Sequence, residues 1–508
     1  MSRWHAILGG LLALAALAHR PVLAQDSIRW RYQSPADIDA FTFTEDGMIV
    51  AHSDSGVVTL NAATGVPVWA SRQATDYWLL ARNTLRLTTP SGTIVVDRWT
   101  GDARWSSEDL PPGKWHRSLA LEAFNLMLLL GETETGLNSL LAVSLDSGIV
   151  LWRQDSLIVP PLKPKVARDV WLTIAQPALV AADTSLVLFP THGGVMRLEL
   201  RTGAVRWRVD RLAQAEPLMV RWGYARMLTD SNMIVVPYGR RLMALNADDG
   251  SIMWDHPKDY PAALAEMVMT PKGLLVRGYH KETKPGSVAS AFVDLLDPAT
   301  GLSRWPKPVR GLNSASAMLV LDDTIFLASD DFLYRVGLTS GIKEPPTEYW
   351  LRGDETPFAL EYRDGDLVLW SEHNLVRLGL DGERKFEEYY GAPGASLFTK
   401  IAAVALIVGA AALTPPGQVL PYSAPPLPSV VDGRYKELLE AHKSVYMLTG
   451  RHDEAGRSGP NIVRLDKASG KVTGRVWVDD KSPDYAIDSS KDIVYLLRNK
   501  RELVALPF

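Results

Sequence analysis

Short apolar stretches recur along the whole chain, and each is followed by a polar turn that ends in glycine. Leu242-Met-Ala-Leu245 before Gly250 is one example, and the chain ends on a similar stretch, Glu502-Leu-Val-Ala-Leu506. Apolar runs of this length bounded by Gly, Asp, Asn, Ser or Thr are typical of strands joined by tight turns. The pattern therefore predicts an all-β fold built from many short strands.

Six of these units also carry a tryptophan four residues after the glycine. Glycine takes the positive φ that a hairpin turn needs, and the Asp, Asn, Ser or Thr before it can hydrogen-bond the turn backbone. Weaker copies occur at Gly341, at Gly382 with Phe386 in the tryptophan position, and at Gly470, where Trp477 comes three residues late. The six clean copies are residues 61–69, 97–105, 144–152, 199–207, 246–254 and 297–305.

The tryptophans stand on the strand that leaves each turn. A side chain this large that recurs once per sheet is best explained as a wedge between neighbouring sheets. Stacking on a cofactor is the competing interpretation, and the fixed place of each tryptophan after its turn favours docking. The predicted docking set is Trp30, Trp69, Trp105, Trp152, Trp207, Trp254 and Trp305 with the turn residues Gly65, Gly101, Gly148, Gly203, Gly250 and Gly301.

The spacing of the turns predicts the architecture. Neighbouring turn glycines between Gly65 and Gly382 are 36 to 55 residues apart, which suits the four strands and loops of one β-propeller blade. Ten units can be counted, and because propellers usually have four to eight blades we expect eight to ten. The last unit ends without a turn, whereas the segment around Trp30 reads like the strand around Trp207. The N-terminal strand is therefore predicted to complete the last blade and to close the ring.

Composition argues against one class of ligand, and the N-terminal sequence indicates the compartment. A net charge of −4 and a pI near 6.2 provide no basic field for nucleic acid. Residues 1–24 have the layout of a secretory signal, with an apolar stretch from Ile7 to Ala18 and a small-residue cleavage site at Ala24; an uncleaved anchor is the alternative. We expect an exported protein of the periplasm or cell envelope that, without cysteine, is stabilised by blade packing alone.

One segment interrupts the repeats. Residues 401–413 are thirteen uninterrupted apolar residues, too few to cross a bilayer core of about 30 Å, and a proline-rich stretch follows. We predict an apolar helical insertion that packs on the ring, contacts a membrane surface or partner, or spans a membrane. The predicted organisation is a signal at 1–24, blades at 25–390, the insertion at 391–433 and final blades at 434–508. The candidate contact residues are Ile401, Val404, Leu406, Ile407 and Val408.

The repeats at 97–105, 244–254 and 297–305 resemble the tryptophan-docking motif of propellers with pyrroloquinoline quinone (PQQ) repeats, the quinoprotein alcohol dehydrogenase-like family. The resemblance covers nearly the whole mature chain and implies two functional kinds. One comprises dehydrogenases that hold PQQ and calcium at the ring centre, and the other comprises binding proteins of the BamB-like branch, which serve outer-membrane assembly. The motif marks blade architecture and does not choose between them.

The residue types in this chain favour the binding branch over the dehydrogenases. The dehydrogenases carry a disulfide between adjacent cysteines against the quinone, and this chain has no cysteine. Calcium would need convergent oxygen ligands, but Asp330-Asp331, Asp453-Glu454 and Asp479-Asp480 are pairs in predicted loops, where acids are usually solvated. The histidines lack zinc spacing, and no Gly-x-Ser-x-Gly elbow occurs. No catalytic, cofactor-binding or metal-binding residue is assigned.

These observations predict a non-catalytic exported scaffold. Its expected partner is an envelope protein or complex, with peripheral membrane contact through residues 401–413 and no cofactor. Two alternatives stay open. The first is a PQQ-dependent and calcium-dependent dehydrogenase that lacks the vicinal disulfide, and the second is a polymer-binding surface protein.

Overall fold

The computed structural model describes residues 28–508 except 45, 82, 135–137, 156–177, 181–183, 189–193, 211–226, 231, 239–240, 261, 281–290, 314, 316, 354, 356, 358, 392 and 394–442. In this part of the chain the regular elements are β-strands and two 3-10 turns, Ser107–Asp109 and Glu122–Phe124. The strands form ten separate antiparallel sheets. The predicted all-β propeller is confirmed, with ten blades, the upper end of the predicted range.

Each blade takes consecutive strands, and the blades are numbered here in chain order. Blade 1 contains β2 (Ile38–Thr44), β3 (Met48–Ser53), β4 (Gly56–Asn61) and β5 (Pro67–Ser71). Blade 2 contains β6 (Asp76–Ala81), β7 (Thr84–Thr89), β8 (Gly92–Asp97) and β9 (Ala103–Ser106). Blade 3 contains β10 (Gly113–Leu121), β11 (Leu126–Thr133), β12 (Asn138–Ser144) and β13 (Val150–Asp155). Blade 4 contains β14 (Ala178–Val180), β15 (Ser185–Leu188), β16 (Val195–Glu199) and β17 (Val205–Val209). Blade 5 contains β18 (Leu228–Asp230), β19 (Met233–Tyr238), β20 (Arg241–Asn246) and β21 (Lys258–Asp259).

The second half of the ring repeats this order. Blade 6 contains β22 (Ala262–Thr270), β23 (Gly273–His280), β24 (Ala291–Leu296) and β25 (Val309–Arg310). Blade 7 contains β26 (Ala317–Leu321), β27 (Thr324–Ala328), β28 (Phe332–Gly337) and β29 (Thr347–Glu348). Blade 8 contains β30 (Ala359–Arg363), β31 (Asp366–Trp370), β32 (Asn374–Gly379) and β33 (Arg384–Tyr389). Blade 9 has three strands among the described residues, β34 (Ser444–Thr449), β35 (Asn461–Asp466) and β36 (Val472–Trp477). Blade 10 contains β37 (Tyr485–Asp488), β38 (Ile493–Arg498) and β39 (Glu502–Pro507), with β1 (Trp30–Gln33) as its outer strand.

Closure of the ring uses both ends of the described chain. Strand β1 pairs antiparallel with β39, so that Trp30 lies opposite Ala505 and Gln33 opposite Glu502. Arg31 adds an ion pair with Glu502 at 3.2 Å between Nη1 and Oε1. The predicted completion of the last blade by the N-terminal strand is confirmed.

The first strand of each complete blade lies innermost. First strands of neighbouring blades contact one another, as β26 does with β30 and β2 does with β37. They are half-exposed, whereas the second and third strands are almost fully buried, as the contrast between β30 and the pair β31 and β32 shows. The hydrophobic core is therefore divided into layers between blades, and the first strands surround the axis of the ring.

The loops separate onto two faces. Turns between first and second strands and turns between third and fourth strands share one face, which we call the turn face; Ala62 N donates to Gly47 O there at 2.9 Å. Turns between second and third strands share the other face with the links between blades, and we call it the connector face. Tyr390 N donates to His373 O at 2.8 Å on this face.

Two predicted segments fall outside the described residues. They are the signal at 1–24 and the apolar helical insertion at 401–413, so their structure stays a prediction. Among the described residues, no helix has the length and apolar character needed to cross a membrane.

Candidate interaction surfaces and the junctions that position them

The turn that ends each third strand has a repeated hydrogen-bonding pattern. In blade 1 the N–H of Gly65 donates to Asn61 O at 2.8 Å, and the Asn61 side chain accepts from the N–H groups of Ala63 and Thr64. Gly65 has a φ of 70°, which an L-residue adopts only with strain. The polar residue that begins the turn thus hydrogen-bonds the turn backbone, as the sequence pattern predicts for the Asp, Asn, Ser or Thr before the glycine.

Each of the seven tryptophans donates its indole N–H to the third-strand turn of the next blade. The acceptors are the carbonyl oxygens of Ala62, Arg98, Leu145, Leu200, Ala247, Pro298 and Leu338, at 2.7 to 3.1 Å from Nε1. Every acceptor is three residues before the turn glycine. Trp69 is half-buried, and the other six indoles are buried, with Trp254 at 0% exposure. At each junction between blades the aromatic ring is therefore packed, and its Nε1–H is hydrogen-bonded.

The indole packs directly against the turn glycine. A Cβ atom on Gly65 would lie 2.4 Å from Cε3 of Trp30, and a Cβ atom on Gly301 would lie 2.5 Å from Cδ2 of Trp254. Contacts this short are impossible for a real side chain, so the residue must lack a Cβ atom. The same relation holds at Gly101, Gly148, Gly203, Gly250 and Gly341.

Three junctions use other residues. Thr347 of blade 7 faces Gly382, and Phe386 of blade 8 faces Gly470, with 2.8 Å between its Cε2 and a Cβ placed on that glycine. Between blades 9 and 10, Gly474 occupies the tryptophan position and the ring of Phe508 packs against it. Trp477 instead lies beneath the guanidinium of Arg457, 4.3 Å from the ring centroid. The loss of the tryptophan motif toward the C-terminus is thus compensated by smaller contacts.

Buried cations also cross the junctions, and the sequence pattern did not reveal them. Arg377 of blade 8 donates to Asp366 at 2.7 Å and reaches Ala468 O of blade 9 at 2.7 Å. Lys467, 1% exposed, lies 2.9 Å from Glu361 and 4.2 Å above the ring of Trp370. Burial lowers the pKa of Lys467, and the Glu361 carboxylate opposes that change. Such pairs are evidence for a defined orientation of neighbouring blades rather than for chemistry.

A carboxylate-centred cluster lies on the connector face of blade 8. Glu355 Oε1 is 2.7 Å from His373 Nδ1, and its Oε2 accepts from Ser371 Oγ at 2.7 Å and from Asn374 Nδ2 at 2.9 Å. The backbone N–H of His373 donates to the same oxygen at 2.8 Å. Ser371 thus bonds the acid rather than the imidazole, so this arrangement is not that of a Ser-His-acid triad.

The charge state of Glu355 follows from these contacts. Burial by itself would raise the pKa of this carboxyl, but the hydrogen bonds from His373 and Ser371 stabilise the ionised form and outweigh burial. The net effect is a lowered pKa for Glu355. The carboxylate is therefore an acceptor at neutral pH, and it holds a loop between blades against a turn.

Large apolar side chains are exposed at a few positions on the ring. Trp350 on the connector face is 68% exposed and Trp99 on the turn face is 40% exposed. At the outer edge of blade 3, Ile149 is 64% exposed and Leu151 is 47% exposed. Leu151 also lines a cleft of about 530 Å³ between blades 3 and 4, together with Glu122, Phe124, Leu126, Leu200 and Arg201.

The carboxylate pairs considered for calcium all lie on the connector face. Asp330-Asp331 falls in the turn between β27 and β28, Asp453-Glu454 between β34 and β35, and Asp479-Asp480 in the link between β36 and β37. Within the described part of the chain, no group of three or more His, Cys, Asp or Glu residues is arranged to hold a metal ion. The candidate contact residues Ile401, Val404, Leu406, Ile407 and Val408 lie outside that part.

A comparison with protein families matches part of the chain. Residues 136–338 match a family model described as outer membrane protein assembly factor BamB. These residues run from β12 of blade 3 to the end of the third strand of blade 7 and contain four of the six clean tryptophan repeats. No curated protein matches the chain.

Solved structures with similarity to the chain include members of both functional kinds. BamB from Moraxella catarrhalis is 14% identical, with 71% of this chain and 100% of that chain covered and a TM-score of 0.36. Quinohemoprotein alcohol dehydrogenase ADHIIG from Pseudomonas putida HK5 is 12% identical, with 75% and 81% covered and a TM-score of 0.33. The computationally designed Ika8 protein is 14% identical, with 71% and 99% covered and a TM-score of 0.32.

Proposed function

We propose that this PQQ-like β-propeller is a non-catalytic scaffold that binds another protein or an envelope component. The observation that supports this most directly is the match of residues 136–338 to a family model described as an outer membrane assembly factor. The lack of cysteine agrees with the binding branch, because the quinone-dependent enzymes of this motif type use a vicinal disulfide.

The proposal places the protein outside the cytoplasm. The secretory layout of residues 1–24 supports export to the periplasm or cell envelope. Residues 401–413 supply a further apolar contact with a membrane surface or a partner.

We place the partner on the connector face. Trp350 projects there with 68% exposure, although the residues on both sides of it, Tyr349 and Leu351, are 2% and 6% exposed. Arg352 follows with 69% of its side chain exposed. Tryptophan and arginine dominate binding energy at protein interfaces, and a rigid anchor loses little entropy on binding. The buried neighbours provide that rigidity.

Site-specific photocrosslinking tests the binding face. A photoreactive phenylalanine derivative is placed at residue 350 on the connector face or at residue 99 on the turn face, and the mature chain is irradiated in an envelope fraction. We expect one discrete adduct from residue 350 that disappears when unlabelled chain competes, and no competed adduct from residue 99. Adducts from residue 99 alone would move the binding site to the turn face, and competed adducts from neither residue would contradict the scaffold proposal.

The dehydrogenase alternative has its own test. The mature protein is titrated with PQQ and calcium while tryptophan fluorescence and the melting temperature are followed. We expect neither to change. Saturable quenching together with a higher melting temperature would favour the enzyme and overturn the non-catalytic assignment.

A further inference from the structure

Among the described residues, blades 8 and 9 neither receive nor provide a tryptophan docked on a turn glycine. Thr347 of blade 7 faces Gly382 of blade 8, and Phe386 of blade 8 faces Gly470 of blade 9. On the other side of blade 9, Gly474 stands at the tryptophan position, four residues after the turn glycine. The run of docked tryptophans is therefore interrupted on both sides of blade 9.

Blade 8 is nevertheless tied to blade 7 through the link between them. Tyr349 N donates to Asp331 O at 2.9 Å in a turn of blade 7, and Arg352 N donates to Asn374 Oδ1 at 2.9 Å in a turn of blade 8. Glu355 adds the hydrogen bonds to blade 8 described above. The inner strands β26 and β30 also contact each other. These contacts replace the missing indole between blades 7 and 8, which leaves the two junctions of blade 9 as the candidates for opening.

Charged side chains cross the two junctions of blade 9 in place of a docked indole. Between blades 8 and 9, Arg377 donates to a turn carbonyl of blade 9 at 2.7 Å, and Lys467 Nζ lies 2.9 Å from Glu361 Oε1. Between blades 9 and 10, Arg464 forms an ion pair with Asp492. Charges recover their hydration when a junction opens, whereas a buried indole loses its packing and exposes apolar surface to water. The junctions of blade 9 should therefore open at a lower cost than the tryptophan junctions.

The connector face supplies a different kind of connection for blade 9. Links between blades share this face, and Thr449 Oγ1 and Gly450 N of blade 9 both donate to Gly391 O just after β33, at 2.9 and 3.0 Å. Docking contacts of the tryptophan type form instead at the third-strand turns on the turn face. Blade 9 is thus held at one face and lacks the usual contact at the other, which is the geometry of a hinge.

We propose that blade 9 is a hinged blade that opens at the turn face while the other blades keep their contacts. Val463 and Leu465 pack toward blade 8, whereas Ile462 and Val476 pack toward blade 10, and all four are 0% exposed. Opening brings these side chains into contact with water and gives the protein an apolar surface that the closed ring hides. The movement involves no partner, so it stands apart from the proposed function and can be tested on the protein alone.

Thiol labelling of the mature chain tests the hinge, because the native sequence contains no cysteine. Leu465→Cys reports on the junction of blade 9 with blade 8, and Ile462→Cys reports on the junction with blade 10. Leu245→Cys is the matched control, since Leu245 is also fully buried and also lies five residues before a turn glycine, in a blade that receives the indole of Trp207. After correction for global unfolding, measured with urea for each variant, we expect both cysteines in blade 9 to react with a maleimide at least about tenfold faster than the control.

Two reciprocal substitutions connect the labelling rate to the docking contact. Phe386→Trp in the Leu465→Cys chain should slow labelling about three- to tenfold, because the added indole N–H can bond the turn carbonyl of blade 9. Trp207→Phe in the Leu245→Cys chain should speed labelling by a similar factor, because it removes the equivalent bond to Ala247 O. Equal corrected rates for the control and either cysteine of blade 9 would overturn the hinge, and so would unchanged rates in both substituted chains.

Discussion

The indole of Trp207 in blade 4 lies directly on Gly250 in blade 5, so closely that a Cβ atom on residue 250 would be 2.6 Å from Cδ2 of the ring. The indole N–H donates to Ala247 O in the same turn at 2.9 Å. The turn glycine and the tryptophan before it in the chain therefore act as one unit across a blade junction. Each repeat supplies the glycine for one junction and the tryptophan for the next.

Gly250→Ala tests this relation. The substitution places a methyl group against the indole and also strains a residue whose φ is 70°, so we expect a loss of more than about 1 to 2 kcal/mol in the free energy of unfolding. Gly365→Ala is the matched control, because its φ is 88° and nothing lies within 4 Å of the added carbon. Chemical denaturation that gave equal losses for both variants would show that the indole contact is unimportant.

Trp254→Ala measures the contribution of one docked tryptophan. The side chain is fully buried and its indole donates to Pro298 O at 2.8 Å, so we expect a loss of roughly 3 to 5 kcal/mol. Trp350→Ala removes an exposed indole and is expected to change the melting temperature little. An unchanged melting temperature for Trp254→Ala would contradict the docking role.

Phe386→Trp restores the missing indole between blades 8 and 9. Phe386 already packs on Gly470, and the carbonyl three residues before that glycine belongs to Lys467, the position that accepts the indole N–H at the tryptophan junctions. We expect a gain of about 0.5 to 1.5 kcal/mol in the free energy of unfolding, the value of one added hydrogen bond. A lower melting temperature would mean that this junction is too narrow for an indole.

Glu355→Gln tests the lowered pKa of this carboxyl. A group whose pKa is lower in the folded than in the unfolded chain stabilises the fold above its unfolded value, about 4.3 for glutamate, and loses that effect as the pH falls through the folded value. The native chain should therefore be more stable than the variant above about pH 5, and the difference should shrink below about pH 4. Urea unfolding between pH 3 and 7 measures it, and a difference independent of pH would refute the prediction.

Deletion of residues 396–430 tests the insertion. If this segment is external to the ring, the shortened chain should keep its melting temperature and circular dichroism and should lose any flotation with lipid vesicles that the full chain shows. Unfolding of the shortened chain would show that the segment is part of the core.

The sequence contained enough information for the architecture because each repeat has local causes. Gly65 and its equivalents are required by turn geometry, and a tryptophan four residues later marks the same strand in every clean copy. A range of eight to ten blades and the closure of the ring therefore follow from counting. The polar residues before the glycine could be predicted as turn acceptors for the same local reason, and Asn61 accepts from Ala63 N and Thr64 N.

The connector-face cluster could not be predicted in the same way. Glu355, Ser371, His373 and Asn374 belong to a link and a turn that the blade repeat does not constrain, and His373 belongs to no recognisable motif. Their association depends on how a link of irregular length returns over the next blade. The buried pair of Lys467 and Glu361 joins the third-strand turn of blade 9 to β30, and no local pattern shows a contact between residues that are 106 positions apart.

The pairing of β1 with β39 sets the order in which the molecule can be completed. Arg31 and Glu502 are 471 residues apart, so β1 finds its place only when β39 exists. Before β39 forms, β1 has no strand to pair with, and Trp30 on β1 is not held against Gly65. Without residues 502–508 the ring would lose β39 and remain an open arc with unpaired strand edges, the kind of surface that promotes aggregation. A finished ring thus requires both β1 and β39, and loss of either short strand should be far more harmful than its size suggests.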